Sequence, residues 1–231
     1  MEKLNRTAKI AGYLYLVVII TGMFSLAYIP HKLINWNNGQ ETFVNLTQSA
    51  LLFRFGIYCS VICYVAFTFL VLALFKLLKS VNRPHAITMA VLALLSIPFS
   101  LANLQHHYTA AALTGKEPFL QSLAAADIQN KLMVALLQYN DGLLLATVFW
   151  GLWLFPFGWL VYRSGYIPQY AGILLMLGCA GHLINFTGNT LFENYAASGT
   201  GKFMGLLPAL AEINICVWLM FIRLKPTSHE K

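Results

Sequence analysis

Residues 51–78 read LLFRFGIYCSVICYVAFTFLVLALFKLL, and this stretch decides the fold class. Between Arg54 and Lys76 it contains 21 consecutive residues without a charge. A transmembrane helix needs about 20 predominantly apolar residues to cross the hydrocarbon core of a bilayer. Because lipid offers the backbone no hydrogen-bond partner, a single apolar run can span it only as a helix. The stretch is therefore predicted to be a transmembrane α-helix.

Five further stretches of the chain have the same apolar character. With the first, they give predicted spans at 9–30, 51–78, 86–106, 131–162, 167–192 and 204–223. The whole chain is 58% hydrophobic and only 10% charged, whereas a soluble domain carries about 25% charged residues. The sequence therefore predicts an all-α, polytopic integral membrane protein. Its six transmembrane helices are expected to form one bundle, a single domain over residues 1–231.

The cations lie between the apolar runs and sort to one side of the predicted bundle. The side that holds both termini has Lys3, Arg6, Lys9, Lys76, Lys79, Arg83, Arg163, Arg223, Lys225 and Lys231. The other side has only Lys32, Lys116, Lys131 and Lys202. Since Lys and Arg accumulate in cytoplasmic loops, both termini are predicted to be cytoplasmic, in a cell membrane. The net charge of +7 is thus assigned to the lipid bilayer as partner and not to nucleic acid. The oligomeric state is left open.

The two outer connections are long, and both contain apolar residues. Residues 31–50 carry Trp36 and Phe43, and residues 107–130 carry Phe119, Leu120 and Leu123. Such segments can lie along the membrane surface as amphipathic pieces or close over a site as a lid. The sequence leaves both interpretations open.

Polar residues form stripes along two of the predicted helices. In the third span, Ser96, Ser100, Asn103 and His107 follow one another at steps of four, three and four, and Gly178, His182, Asn185 and Asn189 repeat that spacing in the fifth. Helical periodicity places each set on one face. One interpretation is a polar cavity that opens outward. The other is adhesion between helices, since small and polar residues are common at helix contacts in membranes.

Three charged residues fall inside predicted spans: Arg54, Asp141 and Glu212. A charge at that depth is costly, so each is expected to turn inward and share a site or an ion pair. The leading hypothesis is a protein that binds or transports a small polar or amphiphilic ligand. Arg54 would hold an anionic group, and the two acids would bind a cation or a proton. The alternatives are an intramembrane enzyme that uses Asp141 or Glu212 as acid–base, and a structural or accessory subunit without a ligand.

A metal site is not predicted, and neither is any other cofactor. His107, His182, Asp141 and Glu212 could in principle form a ligand set, but the chain lacks the His-Glu-x-x-His spacing of a zinc helix. The four cysteines all lie in apolar runs, where free Cys usually behaves as a small packing residue.

Four short motifs, in this order and spacing, resemble a known family. They are LFRFGI at 52–57, FWGL at 149–152, SGYIP at 164–168 and PALAE at 208–212. The chain is similar in them to bacterial six-helix membrane proteins catalogued as domain of unknown function 4386. The resemblance implies the six-helix architecture over nearly the whole chain, and it places Arg54, Gly142 and Glu212 at family-typical positions. It implies no chemistry, because the family has no established activity.

The chain also departs from that family's pattern. Many members carry His where this chain has Tyr139, and Tyr and Asp where it has His182 and Asn185. The resemblance therefore argues against a histidine metal site, because His182 would be particular to this chain.

Overall fold

A computed structural model of the chain describes residues 2–115 and 118–221. Within these two ranges the chain is helical, without a β-strand. Nine α-helices occur in them: α1 (Glu2–Gly22), α2 (Ile29–Leu33), α3 (Gly39–Gln48), α4 (Ala50–Leu78), α5 (Arg83–Leu113), α6 (Ala125–Leu152), α7 (Leu154–Arg163), α8 (Gln169–Leu191) and α9 (Gly199–Phe221). The all-α prediction is confirmed.

Six helical segments of the described chain are long and apolar enough to cross a membrane. They are Glu2–Leu33, Ala50–Leu78, Arg83–Leu113, Ala125–Arg163, Gln169–Leu191 and Gly199–Phe221. Each contains or closely matches one predicted span, so the protein is a multi-pass membrane protein with six helical spans. Residues 222–223 of the last predicted span lie outside the described residues, as do the cations at 116, 223, 225 and 231.

Proline explains two irregularities in these spans. Residues Met23–Tyr28 form a π-helical turn, in which the Ile29 amide bonds to the carbonyl of Phe24. Pro30 follows, and a proline ring would clash with the carbonyl four residues earlier in a regular α-helix. The widened turn avoids that clash. Pro156 acts similarly at the break between α6 and α7, which falls at Trp153.

Contacts between residues divide the chain into two compact units. The first comprises the described residues of Met1–Val17, Ala66–Pro98 and Leu144–Lys231. In it, α7 and α8 pack backbone against backbone. A methyl group at Gly158 would lie 2.5 Å from the Gly172 carbonyl oxygen, and the reverse holds for Gly172. Small residues thus permit close helix packing where lipid provides no hydrophobic drive between helices.

The second unit comprises Val18–Val65 and Phe99–Leu143. Its core consists of apolar side chains from five helices: Ile29, Leu33, Leu46, Phe53, Ile57, Ala110, Ala111, Leu132, Ala135 and Leu136. The connection at 31–50 contributes helix α3, which the Asn38 side chain caps by accepting from the Glu41 amide. Leu46 is buried in the core, whereas Trp36 is exposed. This outer segment therefore packs on the protein through one face. The single domain over residues 1–231 stays a prediction.

Candidate functional site

The polar stripe of α5 is turned into the protein. Ser100, Asn103 and His107 are at most 7% exposed in the second unit, and Ser96 is equally buried in the first. All four polar residues of the stripe are therefore buried. Polar groups on such a face must be satisfied by protein, water or a ligand.

Tyr139 of α6 is the centre of the buried polar region in the second unit. Its ring stacks on His107, with 3.4 Å between ring centroids. The amide of Asn103 donates to the Tyr139 carbonyl at 2.9 Å. Phe53 packs against His107 as well, at 5.1 Å between centroids. Two members of the predicted site, Asn103 and His107, therefore lie together against Tyr139.

Gly142 makes this close approach of α5 and α6 feasible. A Cβ at position 142 would overlap the side-chain amide of Asn103. Glycine is thus needed here for space and not for an unusual backbone angle.

Four buried hydroxyl groups face one another beside this contact. We call Ser60, Tyr64, Ser100 and Tyr139 the hydroxyl cluster. The hydroxyls of Ser60 and Tyr64, one helical turn apart on α4, lie near that of Tyr139, and Ser100 lies near Tyr64. The four hydroxyls are thus within hydrogen-bonding reach of one another, but those of Ser100 and Tyr139 form no well-aligned hydrogen bond within the described residues.

The side chains of the hydroxyl cluster are suited to binding a neutral ligand. Each hydroxyl can donate one hydrogen bond and accept others. A buried polar atom without a protein partner is costly unless water or a ligand satisfies it. The amide of Asn103 and the imidazole of His107 are further polar groups beside the cluster. None of these six residues carries a carboxylate or is a Lys or Arg. The arrangement therefore suits an uncharged polar molecule.

Sequence reasoning did not select Ser60, Tyr64 or Tyr139. Ser60 and Tyr64 stand four residues apart, the spacing of one helix face. That spacing could have marked them as a polar pair in an otherwise apolar span. The signal for Tyr139 was weaker: it lies three residues before Gly142, which occupies a family-typical position.

The prediction that Arg54 and Asp141 turn inward is wrong, since both side chains are exposed in the chain. Arg54 lies close to the beginning of α4, where a long side chain can extend along the helix to the membrane surface. On α6 the buried face carries Leu136 and Tyr139. Asp141 follows Tyr139 by two residues, about 200° around the helix, and so lies on the opposite face.

Glu212 differs from these two residues. It lies in α9, in the first unit, and it is partly buried. Its Oε2 accepts a hydrogen bond of 3.1 Å from the hydroxyl of Tyr15, which is fully buried. The hydrogen-bond partner of the Glu212 carboxylate is thus Tyr15, and neither Arg54 nor Asp141 is needed as its partner.

Of the polar residues of α8, Asn185 joins α8 to the beginning of α9. With its amide oriented to satisfy its neighbours, Asn185 accepts from the Gly205 amide at 3.0 Å and donates to the Gly201 carbonyl at 3.2 Å. Asn189 is exposed and donates to the Asn185 carbonyl at 2.8 Å. His182 packs against Gly151. For Asn185 these contacts agree with the adhesion interpretation of the stripe.

Two other features bear on the predicted cavity and on metals. A surface cavity of about 300 Å³ is mostly apolar, and it is lined by Leu183, Ile184, Thr187, Gly188, Phe192 and Tyr195. None of the charged residues predicted to line a cavity borders it. Within the described residues, no three His, Cys, Asp or Glu side chains are grouped so that they could hold a metal ion.

Comparison with known proteins gives a family and a partial relative. The family described as "Domain of unknown function (DUF4386)" matches residues 10–222. A curated protein of Archaeoglobus fulgidus named "Uncharacterized protein" is 32% identical over 76 residues, which is 33% of this chain. The chain spans 43% of that relative's length. No solved structure matches the chain.

Proposed function

The chain belongs to the DUF4386 family, and since that family has no assigned activity, we propose from the site itself that the protein binds or transports a small polar or amphiphilic molecule. The hydroxyl cluster is the binding site in this proposal. The ligand is neutral, and it offers hydroxyl, carbonyl or amide groups to the cluster. Arg54 has no part in binding it, because its side chain is exposed.

One observation carries this proposal: the hydroxyls of Ser100 and Tyr139 are buried among other hydroxyls and form no well-aligned hydrogen bond in the described chain. Within membrane-spanning helices, no bulk water is at hand to satisfy them. Ser96, on the same helix, is equally buried but donates to its own Ala93 carbonyl at 2.7 Å. The contrast supports a role for Ser100 that helix packing alone does not require.

The test is to purify the protein in detergent and identify small polar molecules that remain bound, by native mass spectrometry and by analysis of an extract. Wild type and Ser96→Ala are expected to retain the same molecule. Ser100→Ala and Tyr139→Phe should each retain it about three- to tenfold less well, the usual worth of one neutral hydrogen bond. No bound polar molecule in wild type, or equal retention in all four proteins, contradicts the proposal.

The orientation belongs to the proposal as well. We place both termini in the cytoplasm and the chain in the cell membrane. The charge asymmetry of the connections supports this placement.

A second candidate function, an accessory subunit of a membrane complex, is favoured by the exposure of Asp141. Asp141 lies about 15 Å along the predicted span 131–162, about a third of the way from its first residue. A carboxylate there is costly in lipid and inexpensive against a partner that donates to it. Native mass spectrometry of mildly extracted complexes tests this: the assembly should be lost in Asp141→Leu and kept in Arg54→Leu. A monomer in all three proteins rules out this candidate.

A further inference from the structure

Helices α1 and α9 enclose a carboxyl group that the hydroxyl cluster does not use. Tyr15 of α1 is fully buried, and its hydroxyl donates a hydrogen bond of 3.1 Å to Glu212 Oε2 of α9. Both residues lie in the first unit. The contact between Tyr15 and Glu212 therefore lies inside one compact unit.

The two helices meet closely around this pair. Ala8, Ala11 and Gly12 are buried on the same side of α1 as Tyr15. A Cβ added at Gly12 would lie 2.6 Å from the backbone nitrogen of Met220. The thiol of Cys216 donates to the Gly12 carbonyl at 3.5 Å. Small residues thus bring the two backbones together and hold the Tyr15 hydroxyl against the carboxyl group.

Glu212 lies deep in its span. It is 13 residues from Gly199 and 9 from Phe221, the two ends of α9. At the helical rise these separations are about 20 Å and about 14 Å, within a hydrocarbon core of about 30 Å. A fixed negative charge at this depth is costly unless it is paired or neutralised.

No cation among the described residues of the first unit compensates that charge. Among its described residues, no Lys or Arg side chain pairs with Glu212, and Tyr15 supplies a single neutral hydrogen bond. The titratable group next to Glu212 is Tyr15 on α1, and the one next to Tyr15 is Cys216 on α9. A metal ion would need more oxygen ligands than one carboxylate and one phenol provide. A proton needs only the free carboxylate oxygen.

We propose that Glu212 is a reversible proton-binding site within the membrane, with Tyr15 as its positioning residue. In the protonated state Glu212 is a neutral carboxylic acid. On release of the proton, the phenol of Tyr15 donates to the resulting carboxylate and stabilises it. This site does not depend on ligand binding at the hydroxyl cluster, and each could exist without the other.

Dicyclohexylcarbodiimide, an apolar reagent that modifies protonated carboxylic acids, tests the proposal. The acid O–H adds across one N=C bond of the reagent, and the O-acylisourea formed rearranges to a stable N-acylurea without a leaving group. The full-length protein in lipid vesicles is treated from acidic to alkaline pH, digested and analysed by mass spectrometry. Glu212 should carry the label at acidic and neutral pH and lose it at alkaline pH.

The variants separate proton binding from mere accessibility. Glu212→Gln should abolish the label on its peptide. Tyr15→Phe should extend labelling to higher pH, because the carboxylate loses its hydrogen-bond donor. Tyr13→Phe, on the exposed side of the same helix, is the matched control and should follow wild type. An unchanged profile in Tyr15→Phe contradicts the positioning role.

Infrared spectroscopy covers the case in which the reagent does not reach the site. The carbonyl band of a protonated carboxyl group should disappear as the pH rises in wild type and be missing in Glu212→Gln. Absence of both the label and the band at every pH overturns the proposal. Bound polar ligand in the same preparation would leave the function proposed for the hydroxyl cluster intact, so the two ideas fail separately.

Discussion

At the scale of single residues, Gly142 shows how one missing side chain shapes the candidate site. The residue has ordinary helical geometry, and its importance is steric. A Cβ at this position would overlap the side-chain amide of Asn103, which in turn donates to the Tyr139 carbonyl. Any larger residue must therefore displace the group that joins α5 to α6 beside the hydroxyl cluster.

Gly142→Ala is expected to destabilise the protein by about 1–3 kcal/mol, the usual cost of overpacking a filled interior. Thermal unfolding in detergent measures it. Gly199→Ala is the control, because no atom lies within 4 Å of a Cβ at that position.

The double variant Gly142→Ala/Asn103→Ala tests the reason for the effect. Shortening Asn103 removes the overlap, so the double variant should lose less stability than the sum of the two single variants. Strict additivity would show that the Gly142–Asn103 contact is not the cause.

At the scale of elements, the connection 164–168 shows how a short motif joins two spans. Gly165 adopts a positive φ of 73°, which favours glycine. The Ser164 hydroxyl accepts from the Ile167 amide, and Pro168 then precedes α8. Tyr166 donates to the Leu77 carbonyl at 2.9 Å, one of the last carbonyls of α4, which have no partner in their own helix.

Tyr166 makes a prediction about pH, because it lies outside the spans. Burial raises the pKa of Tyr166 from 10.0 to about 12. The neutral phenol is thus favoured in the folded state, and its contribution to stability is complete below about pH 10. That contribution should decline as the pH rises through about 12, because the unfolded chain releases the proton first.

Comparison of Tyr166→Phe with wild type isolates this contribution. At neutral pH the variant should lose about 1 kcal/mol for the missing hydrogen bond. Between pH 9 and 12 its melting temperature should fall less steeply than that of wild type. Tyr162→Phe, an exposed tyrosine on α7, is the control. If the melting temperatures of Tyr166→Phe and wild type fall equally steeply with pH, the proposed contribution of the buried Tyr166 hydroxyl is wrong.

At the scale of the whole molecule, the proposed orientation in the membrane rests on the spans and the cations. Six spans would place the two termini on the same side, and the cation bias is our reason to propose that this side is the cytoplasm. In a background with the four native cysteines replaced, Asn38→Cys is expected to react with a membrane-impermeant maleimide in intact cells. Ser80→Cys should react only after the membrane is permeabilised. Both positions are exposed in the chain. Reaction of Ser80→Cys from outside would reverse the orientation.

The sequence by itself determined the six helices, and nearly their lengths, because spanning a bilayer is a local requirement. Each apolar run must satisfy its own backbone hydrogen bonds, so run length and the positions of proline predict each helix without reference to the others. The stripe of Ser100, Asn103 and His107 could be predicted for the same reason, since helical spacing alone places its members on one face.

Only the tertiary structure decided which faces meet. A lipid-covered face and a buried face can both be apolar, so the contrast that orients helices in soluble proteins is weak here. The sequence therefore did not pair Tyr15 with Glu212 or place Tyr139 on His107. For the same reason, the cost of a charge in lipid could not show that Arg54 and Asp141 would be exposed. That cost indicates that a charge needs a partner, but the partner can be a neighbouring helix, the membrane surface or another subunit, and packing in three dimensions selects among them.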